Sequence, residues 1–130
     1  MNTNEMLVLD TWKAFLRGDV KSAFANLTDD ATWTIPGLSE LSGVKRGKAE
    51  IVGFLRVVAQ AFPKGLRSEI KKVHSTDEAV ILELTNRSET ADGRPYENDY
   101  CFVFEVGGGK VRAIREYVDT ERAAAILRPS

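Results

Sequence analysis

The chain has 130 residues, 18 Lys and Arg against 19 Asp and Glu for a net charge of −1, and is 43% hydrophobic and 28% charged. This is the make-up of one globular domain spanning 1–130, long enough to bury about two thirds of its unfolded surface; with both signs scattered, neither a nucleic acid nor a membrane is expected as partner. A single cysteine, Cys101, and a single histidine, His74, preclude an internal disulfide and leave zinc or copper without its usual ligands, so a cytoplasmic protein with no metal and no cofactor is expected.

Taken in chain order, residues 4–17 predict an amphipathic helix, because Val8, Trp12, Phe15 and Leu16 recur at helical spacing. Gly18-Asp19 stops it, and a short helix follows through Ala23, Phe24 and Leu27. Thr28-Asp29-Asp30 predicts a turn into a short strand, ATWTIP, closed by Pro36-Gly37. The stretch GLSELSGVKRG predicts a loop, and Ile51, Phe54, Leu55, Val58 and Phe62 predict a helix over 48–62 that Pro63 ends. Beyond it the period changes to two, with strands expected at 67–75, 79–90, 95–106 and 110–119. In YENDYCFVFEV, Tyr96, Asn98, Tyr100, Phe102 and Phe104 share one face, and Glu97, Asp99, Cys101, Val103 and Glu105 the other. A last helix over 120–127 follows Asp119 as N-cap. Helices first and an antiparallel meander after predict an α+β fold, a curved sheet wrapped into a cone by the N-terminal helices.

Three strings, FLRGDVKSAFANLTDDATWTIPG, the helix with G…I…FL, and ENDYCFVFEVGGGKVRAIREYVDT, resemble the nuclear transport factor 2-like superfamily, and most closely its SnoaL-like branch, named for a polyketide cyclase. The resemblance covers essentially the whole chain and implies the cone-shaped fold, a hydrophobic pocket and a homodimer of back-to-back sheets. It also implies site positions. The general base of ketosteroid isomerases on this fold falls at Ile35, which cannot accept a proton, and their buried oxyanion-hole acid falls near Tyr100. The charged groups of limonene epoxide hydrolases fall at Arg87, Glu89 and Glu116, while their water-holding positions fall at Trp33 and Ile35.

The residues themselves single out Glu116. Alternation along the last strand places it with Ile114 and Val118, because the opposite register would bury Arg115 and expose two aliphatics worth about 1.5–3 kcal/mol each. A carboxyl on an apolar face has a raised pKa, suited to proton transfer near neutrality. Glu116, Tyr100 and Asn98 are therefore the candidate catalytic residues. Trp33, Ile35, Phe54, Val58, Phe102, Ile114 and Val118 are the candidate ligand-binding wall. The expected activity is acid–base chemistry of isomerase, cyclase or dehydratase type on a small hydrophobic oxygen-bearing molecule. The alternatives are a non-catalytic binder of the same fold and an epoxide hydrolase using Arg87, Glu89 and Glu116. Simple alternation puts Arg87 and Glu89 on the solvent side as a solvated pair, and the glycines of VGGGK, lying between two strands, make a hairpin and not a phosphate loop.

Overall fold

The computed structural model describes residues 1–128. Helix α1 (Thr3–Leu16) starts at a capping box: the Asn2 side chain accepts from the Glu5 amide at 2.8 Å, and the Glu5 carboxylate accepts from the Asn2 amide at 2.9 Å. It buries Val8, Thr11 and Trp12. Asp19 caps α2 (Val20–Ala25). Strand β1 (Leu27–Ile35) and strand β2 (Gly43–Arg46) follow, then α3 (Gly47–Ala61), the strands β3 (Arg67–Ser75), β4 (Ala79–Glu89), β5 (Pro95–Gly107) and β6 (Lys110–Val118), and α4 (Thr120–Ala125).

The six strands form one sheet in the order β2-β1-β6-β5-β4-β3. The expected meander is present as β3 to β6, each pair antiparallel, but β1 lies parallel to β6. Two local expectations are corrected. Thr28-Asp29-Asp30 is strand and not turn: the β1–β6 register shifts between Leu27 and Thr32, and both aspartates face solvent. Within the predicted loop, Gly43–Arg46 pairs with Thr32–Ile35 as an edge strand. The β5–β6 connection is a tight turn in which Gly108 and Gly109 take φ of 60° and 75°, the left-handed region that other residues enter only with strain.

One face of the sheet and the inner faces of the helices make the core. Trp33 and Ile35 from β1, Leu82 and Leu84 from β4, Phe102 and Phe104 from β5 and Ile114 from β6 are all buried there. Phe102 is the hub: its ring centroid lies 4.6 Å from Trp12, 5.5 Å from Tyr100, 6.1 Å from Trp33 and 6.1 Å from Phe104. The convex face is polar and laced with ion pairs, such as Arg115–Glu105 at 2.7 Å. Among the described residues no helix is long and apolar enough to cross a membrane.

Candidate functional site

Strand β6 continues its alternation through the sequence Ile114, Glu116, Val118, so the carboxyl of Glu116 is delivered to the concave face. It is 7% exposed. In the sheet it stands opposite Phe102 of β5, and β1 lies on its other side, where Trp33 pairs with Ile114. The Trp33 indole Nε1–H donates to Glu116 Oε1 at 2.9 Å. Burial pushes the Glu116 carboxyl up to about 7, against the pull of the Trp33 hydrogen bond and of the Lys45 charge, both of which favour the ionised form. A carboxyl poised there can take a proton and give it back near neutral pH. Trp33 is a positioning residue for it. A hydrogen bond to a charged group contributes about 1.5–3 kcal/mol, so Trp33→Phe is expected to raise the Glu116 midpoint by about one to two pH units. The carbon-13 carboxyl signal of Glu116, followed against pH, reads this directly; an unmoved midpoint would show that the indole bond does not favour the carboxylate.

The second polar group is a tyrosine pair on β5. Tyr96 and Tyr100 hydroxyls lie 2.5 Å apart. Asn98 Nδ2 donates to Tyr96 Oη at 3.0 Å, and also to the Asp119 carbonyl at 3.1 Å, while its Oδ1 accepts from the Asp99 amide. On β4 the buried Asn86 accepts from Ser68, which in turn accepts from the Trp12 indole at 3.2 Å. Burial drives the Tyr100 hydroxyl far above its ordinary value, as do the neighbouring Tyr96 and Glu116 charges, so it stays a proton donor. The two phenols hold two protons and their mutual bond uses one. With the Asn98 amide arriving as a donor, the other O–H is left for an acceptor in the cavity.

Glu116, Tyr100 and Tyr96 line one cavity of about 40 Å³, walled by Phe54 and Phe62 and closed by Leu127 of the segment after α4. By the measure that a single water needs roughly 10–15 Å³ of such space, this holds about three waters. Of the sequence-predicted wall, Phe54 and Val58 line it. Trp33, Ile35, Phe102 and Ile114 do not; they are 3%, 1%, 1% and 0% exposed and form the packed floor beneath. Val118 is half-buried opposite Tyr100 and lies outside the lining. Asn98 is corrected from a ligand-orienting to a tyrosine-positioning residue, because its side-chain donors and acceptor are already engaged. Sequence reasoning passed over Tyr96, although alternation placed it beside Tyr100, and over Asn86, which the same alternation puts inward after Leu82 and Leu84. Nothing in the sequence pointed to Leu127.

A larger open groove of about 580 Å³ lies outside the cone, between the start of β5 and α4. Three of its four arginines have partners: Arg87 meets Glu69 at 3.0 Å and Glu97 at 2.7 Å, Arg94 meets Asp92 at 3.0 Å, and Arg122 donates to the Glu97 carbonyl at 3.1 Å. It holds no buried carboxyl, so the smaller cavity is the candidate site. The same contacts correct the epoxide-hydrolase alternative. Arg87 faces solvent, and Glu89 pairs with Lys64 at 3.7 Å on the surface, so neither meets Glu116. His74 is likewise spent on an exposed contact with Glu83 at 2.6 Å.

The fold and sequence have relatives. An uncharacterised protein of Mycobacterium tuberculosis is 24% identical over 111 residues, 85% of each chain. A nuclear transport factor 2-like protein of unknown function from Burkholderia pseudomallei superposes with a TM-score of 0.88 at 23% identity, over 99% of this chain and 100% of that one. A protein described as a SnoaL-like polyketide cyclase, from Jannaschia, superposes with a TM-score of 0.82 at 15% identity, over 98% and 94% of the two chains. The SnoaL-like domain family matches residues 8–114. With that match over most of its length and the cone and helices in place, the chain belongs to the SnoaL-like domain family, on the nuclear transport factor 2-like fold.

Proposed function

We propose that the protein is an acid–base enzyme of isomerase or cyclase type, acting on a small hydrophobic molecule that carries a carbonyl. The observation that carries this is the pairing of a buried carboxyl, Glu116, with an uncommitted tyrosine O–H in one apolar cavity. Glu116 as carboxylate removes a proton from the carbon next to the carbonyl. The electron pair moves onto the carbonyl oxygen, where the tyrosine pair holds the developing enolate. Protonated Glu116 then returns the proton at a different carbon, which is isomerisation, or the enolate carbon attacks a second carbonyl of the same molecule, which is ring closure, with the proton passing to the new alkoxide. The polyketide-cyclase description of the Jannaschia relative fits the second outcome.

The test is solvent-deuterium uptake into small cyclic enones and 1,3-diketones, followed by proton NMR. Wild type is expected to catalyse exchange next to the carbonyl, and the Tyr96→Phe/Tyr100→Phe double variant to slow it about 10²–10³-fold, the cost of losing an oxyanion donor. A non-catalytic binder of the same fold is the second reading, favoured by how little of the cone is empty, about 40 Å³. Ligand-dependent stabilisation without any exchange would select it.

A further inference from the structure

Strand β2 brings in one charged side chain that the proposed chemistry does not use. Lys45 pairs directly with Trp33 in the antiparallel β1–β2 register, and residues directly opposite in a sheet share a face. Lys45 therefore points with Trp33 into the cone. Its Nζ lies 4.9 Å from the centroid of the Phe54 ring, donates to the Leu41 carbonyl at 2.6 Å and reaches the Gly43 carbonyl at 3.4 Å. Leu41 and Phe54 both line the cavity that contains Glu116. Two surface lysines pair with carboxylates, Lys48 with Asp29 and Lys64 with Glu89. Among the described residues, Lys45 has no carboxylate within 4 Å, and the one acid whose charge reaches it is Glu116. An ammonium held against an aromatic ring and neutral carbonyls keeps its charge available to an incoming anion.

The sheet order sets three polar functions across the concave face: the Lys45 cation on β2, the Glu116 carboxyl on β6, and the Tyr96–Tyr100 O–H on β5. Lys45 itself is not a lining residue but stands at the cavity's edge, against Leu41 and Phe54. We infer that Lys45 is the anion-recognition residue at this edge, and that the ligand it selects is a small molecule bearing an ionised oxygen, carboxylate or enolate, besides its reacting carbonyl. The reacting carbonyl in that description rests on the acid–base reading above; the recognition of the anion does not. The groups that bear on Lys45 are few. Glu116 faces it from β6, Tyr96 and Tyr100 lie beyond on β5, and α3 and the segment after α4 present to the cavity apolar side chains such as Phe54, Val58 and Leu127.

Acetate and acetamide, matched in shape and different in charge, are the probes, with binding to the full chain followed by calorimetry and NMR. Below the Glu116 midpoint of about 7, wild type is expected to favour acetate on the order of tenfold. Lys45→Gln, which can still donate to a loop carbonyl, is expected to erase that preference, and Lys45→Arg to keep it. The wild-type preference should fall as pH rises past the midpoint, because ionised Glu116 then opposes the anion, and in Glu116→Gln it should stay level. Equal preference in wild type and Lys45→Gln, or no binding of acetate at all, overturns the assignment. Should Lys45→Gln fail to fold, the Lys45→Arg result and the pH dependence in wild type decide the matter: a preference lost with arginine, or level across the midpoint, overturns it. Failure of the acid–base reading shows elsewhere, as absent deuterium exchange with the acetate preference intact.

Discussion

Glu116→Gln is expected to lower turnover by about 10²–10⁴-fold, the usual contribution of a positioned acid–base group, while making the folded protein more stable in neutral and alkaline solution. The two effects share one cause. The Glu116 carboxyl titrates at about 7 in the fold, from an ordinary value of 4.5. A folded-state value raised above the unfolded one gives a stability term fully present below about 4.5 and lost progressively as pH rises to about 7. Across that window the unfolded chain has released the proton and the native chain has not. At 1.36 kcal/mol per pH unit, the loss amounts to roughly 3 kcal/mol. Glutamine keeps an oxygen for the Trp33 indole and has no proton to release, so its stability should be level across the same window. Urea denaturation of both proteins from acid to alkaline pH measures the difference. Parallel curves would mean that Glu116 ionises in the fold as easily as it does in water.

Phe102→Ala should cost about 3–5 kcal/mol of stability, the scale of a large aromatic truncated in a sealed core. Against a typical total of about 5–15 kcal/mol, that brings the protein near its margin. The size of the effect comes from position. Phe102 is 1% exposed and touches aromatic rings from α1, β1 and its own strand. It also stacks on Tyr100 with an interplanar angle of 4°, so its removal frees the tyrosine that frames the cavity. Loss of function should therefore accompany loss of stability, and Phe102→Leu should show both in milder form. A cost under about 1 kcal/mol would mean that the neighbouring rings collapse into the space.

Much of this architecture is legible in the residues. The β3 to β6 strands announce themselves through period-two alternation, and Glu116 through its place between Ile114 and Val118. What stayed hidden was hidden for physical reasons. Gly43–Arg46 is a short, largely exposed edge strand with no apolar stripe to mark it, and with it went Lys45. Asp29 and Asp30 resemble a turn because they are polar, yet a strand tolerates them where its register slips and the side chains meet water. Trp33, Ile35, Phe102 and Ile114 face inward as their spacing predicts. Alternation gives a side, and not a depth, so it cannot separate a side chain that touches the cavity from one packed beneath it. The Asn98 role was misjudged because its partners, Tyr96 and the Asp119 carbonyl, are fixed only by the folded turn into α4.

The hydrogen bond between Trp33 and Glu116 joins residues 83 apart in the chain, across the parallel seam between β1 and β6. Such long-range pairings are entropically late events, and they slow folding relative to local hairpins. As the polypeptide leaves the ribosome, β1 and β2 must wait, with β1 unpaired along one edge, while β3, β4 and β5 are made. Only when β6 emerges do the indole and the carboxyl meet. The site is thus the last part of the molecule to exist, and Trp33 fluorescence should report the closing step of refolding rather than its first collapse.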